Sequence, residues 1–216
     1  MKTQLAGWML VFLNGASPAW ASDPAIDPTL IQNSPVLQRW LKKIPDVRSD
    51  IANDPSFRTR YRVGYTQVDR SAGLNLGVED LRIDRTRFTL SADYQTAFNG
   101  TRSSVGADLQ YYVRPLGSYV NVAPVVGYRH LKTPGGTIDG ANLGVKVLLV
   151  LSRGGGADIS FTQSWVSPFS ADETGLTRLS VGYALTHNLR LSTDLQQQNS
   201  RFQKDRRVGI VLEWMP

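Results

Sequence analysis

The sequence predicts an all-β fold: an up-and-down antiparallel transmembrane β-barrel of ten strands, or of eight with one irregular hairpin, preceded by an amphipathic helix. Three observations carry this. The stretch RFTLSADYQTAF alternates without a miss, with Phe88, Leu90, Ala92, Tyr94, Thr96 and Phe98 on one face and Arg87, Thr89, Ser91, Asp93, Gln95 and Ala97 on the other. Such a period of two belongs to a strand. The chain opens with an export leader, yet no later segment offers the ~20 apolar residues that a membrane-crossing helix needs, so a spanning fold must be a closed sheet. Finally, the polar faces of the strands hold few of the Lys and Glu residues of a soluble surface (Lys146, Glu79 and Glu213) and are built instead from Ser, Thr, Gly, Asn and Gln with charges of both signs.

Residues 1–21 read as a secretory signal peptide: Lys2 near the start, an apolar run from Leu5 to Leu13, and Ala19-Trp20-Ala21 as a small-x-small cleavage site. Without that leader the chain keeps 23 of the 24 Lys and Arg and all 18 Asp and Glu, a net charge of +5. The chain has no cysteine, so an exported fold here uses neither disulfides nor thiolate metal sites. Residues 22–33, with two prolines, read as a linker. Residues 34–56 read as a periplasmic helical segment: Ser34 is the N-cap, Pro35 takes the first helical position, and Leu37, Trp40, Leu41 and Ile44 share one face. With Arg39, Lys42 and Lys43 beside Trp40, that face suits a membrane interface, the barrel end or a periplasmic partner.

From 57 to 216 the spacing predicts strands near 57–66, 73–83, 87–98, 103–114, 118–130, 140–151, 157–166, 175–186, 188–197 and 206–215. Connections read as long after odd strands (QVDRSAG, NGTRS, LKTPGGTID, SPFSADET, NSRFQKD) and short after even ones (DRT, PLG, SRGGG, His187). Outer-membrane barrels show this pattern, with an even strand number, short periplasmic turns and longer outer loops. Asn99-Gly100 reads as a tight turn, as does Gly154-Gly155-Gly156.

If the odd strands run outward, the apolar faces carry two aromatic girdles. Phe57, Phe88, Tyr111, Tyr183 and Trp214 fall near the periplasmic ends, and Tyr65, Phe98, Tyr128 and Trp165 near the outer ends. Ten residues separate Phe88 from Phe98; at ~3.3 Å each and a tilt of ~40° they project to ~25 Å, the height of a lipid-facing band. The opposite faces supply Arg58, Arg60, Arg62, Arg87, Arg178, Arg190 and Arg207 against Glu79, Asp93, Asp108, Asp158, Asp194 and Glu213, the composition of a narrow lumen in which charges pair. Two places fit less well. Pro124 inside a strand predicts a bulge or strained pairing, and the alternation in GLNLGVEDLRI slips between Val78 and Leu81, which predicts another.

The strings NSPVLQRWLKKIPDVRSDIANDPSFRTR, ADLQYYVRPLGSYVNVAPVVGYR and RVGIVLEWMP resemble a group of conserved cyanobacterial proteins of unassigned function, over nearly the whole exported chain. More broadly the chain resembles small outer-membrane barrels. That resemblance implies a last strand read by the barrel-assembly machinery, matched here by Val208, Ile210, Leu212 and Trp214, although Met215-Pro216 come after the aromatic.

The ladder Arg58, Arg60, Arg62 has two readings: a ring of cations selecting anions in a pore, or an ion-pair network that fills a lumen too narrow to stay empty. The basic stretch with Arg201, Lys204, Arg206 and Arg207 reads as an outer-rim contact for lipopolysaccharide phosphates or as a solvated loop. The chain has two histidines, His130 and His187, predicted on opposite sides of the membrane and therefore unable to share a catalytic site. No metal spacing, cofactor motif or nucleic-acid motif occurs. The leading expectation is a non-enzymatic outer-membrane barrel with a structural or partner-binding role in the envelope. A narrow, weakly anion-selective pore is the alternative, and a secreted soluble barrel around an apolar ligand is the third.

Overall fold

Alternation turns into strand pairing along almost the whole chain after residue 59. The computed structural model describes residues 33–36, 38, 53–68, 71–152, 156–201 and 204–216. It divides the chain into two units, Met1–Pro45 and Asp46–Pro216. In the first, the described residues form the start of a helical turn, with the Gln38 N–H donating to the Ser34 carbonyl at 3.0 Å. The predicted leader, the predicted linker up to residue 32, and the predicted helix face of Leu37, Trp40, Leu41 and Ile44 lie outside the described residues.

The second unit is a barrel of ten strands: β1 (Arg60–Val68), β2 (Ser71–Arg82), β3 (Phe88–Ala97), β4 (Ser103–Tyr111), β5 (Val120–Thr133), β6 (Gly136–Ser152), β7 (Ala157–Val166), β8 (Thr174–Ala184), β9 (Leu189–Asn199) and β10 (Lys204–Trp214). Each pairs antiparallel with its sequence neighbours, and β1 closes the sheet on β10 from Tyr61↔Trp214 to Val68↔Arg207. Closure gives every strand two paired neighbours.

The two faces are inverted relative to a soluble protein. Along β10 the burial alternates strictly, with Asp205, Arg207 and Glu213 inside and Val208, Ile210, Leu212 and Trp214 outside. Of the aromatics predicted for the girdles, Phe88, Tyr111, Tyr183, Trp214, Tyr65, Phe98, Tyr128 and Trp165 are exposed on the outer wall. Cross-strand ring pairs strengthen the wall near the termini: Tyr61 and Trp214 lie 5.6 Å apart, Phe88 and Tyr111 4.9 Å.

Phe57 is a correction. It is 4% exposed and packs inside the barrel with Tyr112, Ala123, Leu148 and Val150. The strand begins only at Arg60; before it a tight turn, with the Phe57 N–H on the Asp54 carbonyl at 2.9 Å and the Asp54 carboxylate accepting the Ser56 N–H, points the ring inward. The loop-length pattern is a second correction. Only Pro134 and Gly135 separate β5 from β6, and residues 69–70 separate β1 from β2, because segments that read as loops pair instead. The longest connection among those at the mouth near the termini, residues 112–119, falls where the sequence predicts a short turn.

The slip in GLNLGVEDLRI is a bulge, with the β2–β3 register shifting between Val78 and Leu81 and Asp80 at φ 54°. Pro124 needs none: its pairing with Val145 is in register, and the β4–β5 ladder stops at Gln110↔Val125, just before the proline's missing N–H would be required. A bulge that the alternation does not reveal lies between Val150 and Ser152. Asn99 and Gly100 do form a turn, Asn99 Oδ1 accepting the Thr101 N–H at 3.1 Å and Gly100 sitting at φ 68°.

Candidate functional site

The interior is the part of the molecule in which chemistry concentrates, and the bulge at Asp80 organises it. A regular strand would send Glu79 and Asp80 to opposite faces; with Asp80 in the left-handed region, both carboxylates enter the lumen. Asp80 receives Arg60 Nη2 at 2.7 Å, Lys146 Nζ at 3.1 Å and the Tyr112 hydroxyl at 2.9 Å. Burial, and then the neighbouring Asp80 carboxylate, pushes the Tyr112 phenol above its ordinary range, so it stays a donor.

Around this pair an interlocked cluster occupies the end near the chain termini. Glu79 meets Arg62 at 2.8 Å and Lys146 at 2.9 Å. Arg62 reaches Asp194 at 2.8 Å, and Arg190 reaches Asp158 at 2.5 Å. Glu213 lies 3.0 Å from Arg62 Nε and 2.9 Å from Arg190 Nε, close charges off the hydrogen-bond direction. In the middle of the barrel Arg129 bridges Asp93 and Asp108 at 2.8 and 2.7 Å, with Arg178 3.5 Å from Asp93. At the far end Arg102 pairs with Asp205 at 3.1 Å, and Arg207 donates to Gln95 at 3.0 Å. Among the described residues, eight inward cations thus face eight inward carboxylates. Charges removed from water need such compensation.

Inward glycines make room for the guanidinium groups. A Cβ on Gly106 would stand 2.8 Å from Arg129 Cζ, and one on Gly182 2.6 Å from Arg190 Cζ. A cavity of about 50 Å³ lies between the near and middle clusters, bordered by Arg62, Glu79, Asp93, Arg129 and Lys146. At ~15 Å³ of such space per water, it accommodates a few water molecules. Apolar groups cluster inside both ends: Phe57 with Tyr112, Ala123, Leu148 and Val150 at the end near Pro216, and Leu131, Val166 and Leu176 with Ile138 at the other.

The expected lumen residues therefore divide. Arg60, Arg62, Asp93, Asp108, Arg178, Arg190 and Asp194 all stand in the network. Arg58 does not: it precedes β1, and its guanidinium donates to the carbonyls of His187 at 2.6 Å, Met215 at 3.1 Å and Pro216, tying the start of the barrel to its end. Arg87 is exposed just before the start of β3 and donates to the Val113 carbonyl. Of the four basic residues expected at the rim, Arg201, Lys204 and Arg206 are exposed, whereas Arg207 is buried in the lumen because it falls on the inward parity of β10. Asp80, Arg102, Arg129 and Asp205 belong to the network without standing out in the sequence, although the parity of VNVAPVVGYRH carries a signal for Arg129. His130 and His187 sit at opposite ends of the barrel.

No protein-family model and no characterised protein matches the sequence. Two solved structures show similarity. The NanC porin in a rhombohedral crystal form matches over 73% of this chain and 100% of its own, with a TM-score of 0.46 and 11% identity. The KdgM porin matches over 70% and 97%, with a TM-score of 0.39 and 12% identity.

Proposed function

We propose that this chain is a non-enzymatic outer-membrane barrel whose lumen is closed, and that it serves the envelope as a structural or partner-binding element. The single observation that carries this reading is the matched set of inward charges, eight against eight among the described residues, with an apolar cluster inside each end. An anion filter needs cations left free to meet the solute; Arg60 and Arg62 are instead held by five carboxylates, Glu79, Asp80, Asp158, Asp194 and Glu213. The spanning half of the reading rests on the outer wall, where Val208, Ile210, Leu212, Leu191, Leu195 and Val181 face outward without polar cover. Its lipid neighbours, its delivery by the barrel-assembly machinery and its placement with the terminal end in the periplasm are parts of the same proposal.

Two measurements test it. Envelopes washed with carbonate or urea should retain the protein; release would make it a soluble barrel. Vesicles carrying the refolded protein should not swell in isosmotic arabinose, and swelling above protein-free vesicles would favour the pore.

A further inference from the structure

The outer wall is not apolar all the way round. Across β7 to β10 one hydrogen-bonded row reads Gln163, Thr177, Gln197, Arg206, and the row beyond it reads Trp165, Gly175, Asn199, Lys204. By alternation all eight lie on the outward face, next to the apolar row Phe161, Leu179, Leu195, Val208. Gly175 presents no side chain, and a Cβ there would find its nearest neighbours 3.8 Å away, so a recess of about 510 Å³ opens between Trp165, Asn199 and Lys204, with Arg201 beside it. That is the size range of small-ligand sites. Lys204, Arg206 and Arg201 form no ion pair among the described residues, in contrast to seven of the eight inward cations. Glu173, the one carboxylate lining the recess, accepts the Phe169 N–H at 3.1 Å.

We propose that this recess binds the phosphorylated headgroup of a membrane lipid. Unneutralised cations and amide donors suit phosphate oxygens, Trp165 suits the boundary between headgroup and acyl chain, and the apolar row below suits the chains. The inference rests on the reading of the outer wall as lipid-facing. A barrel washed out by carbonate would sink that reading, whereas a titration in detergent reads the recess alone.

The test uses the full chain refolded in non-ionic detergent, with retention of added lipid read by native mass spectrometry. The probes are dioctanoyl phosphatidic acid, dioctanoylglycerol and inorganic phosphate. Phosphatidic acid should be retained at least tenfold better than dioctanoylglycerol. Lys204→Glu with Arg206→Glu should abolish that preference, Gly175→Leu should weaken it by filling the floor, and Lys132→Gln, an exposed cation at the end of β5, should leave it intact. Equal retention of the two lipids, or a preference that survives Lys204→Glu with Arg206→Glu, overturns the proposal. Phosphate competing as well as phosphatidic acid would make this a free-anion site and overturn the lipid assignment.

Discussion

The two ends of the lumen hold charge in different ways. Near the chain termini, Arg60, Arg62, Lys146 and Arg190 share five carboxylates, so each ion has more than one partner and the ties join β1, β2, β6, β7, β9 and β10. At the far end Arg102 pairs with Asp205, while Arg207 donates to Gln95 and leaves its Nε and Nη2 without hydrogen-bond partners among the described residues. Burial alone therefore does not make a charge structural. An ion with several partners fixes register across strands, whereas one with a neutral partner chiefly carries its desolvation cost.

The largest effect should come from breaking the interlocked end. Asp80→Ala leaves Arg60 and Lys146 short of a carboxylate in a buried site, and loss of a buried ion's partner costs about 3–5 kcal/mol; the urea-unfolding midpoint in detergent should fall accordingly, and an unchanged midpoint would deny the network its role. Phe57→Ala removes the ring buried at that end and proposed to seal it, and a buried Phe→Ala costs about 3 kcal/mol. If the loss is below about 1 kcal/mol, the cluster around Phe57 is no seal. Next comes Gly182→Ala, which forces Arg190 off Asp158 and Glu213 and should cost about 1–3 kcal/mol by overpacking. Gly175→Ala, on the open outer wall, should stay within about 0.5 kcal/mol. The same unfolding series separates the two glycines. Arg207→Met should likewise have a small effect, below about 1 kcal/mol in either direction, since a poorly partnered buried ion gives little net stabilisation; a loss like that of Asp80→Ala would erase the contrast between the two ends.

Much of this is legible in the sequence because period-2 patterning is local. RFTLSADYQTAF announces both its strand and its inward Asp93, and the slip at Val78 announces the bulge. What the bulge accomplishes is not legible: that Glu79 and Asp80 both turn inward depends on one residue's φ, which no spacing encodes. Phe57 misleads because alternation, carried past the start of the strand, runs into a turn held by Asp54, and Arg58 and Arg87 mislead in the same way at strand ends. Turn-forming residues in LKTPGGTID suggest a long loop, yet Thr133 and Gly136 pair and leave two residues to turn the chain. Strand ends depend on partners elsewhere in the sheet, and that information is not local.

Closure of the lumen by paired charges and the Phe57 seal is tested most directly by the conductance of the refolded protein in a planar bilayer, with insertion verified by protease protection. A silent membrane is expected for the unaltered chain, and discrete steps only when Phe57→Ala is combined with Arg60→Ala and Arg62→Ala. Discrete steps from the unaltered chain, with an anion preference that falls in Arg60→Ala with Arg62→Ala, would contradict closure and make those arginines the filter of an open pore.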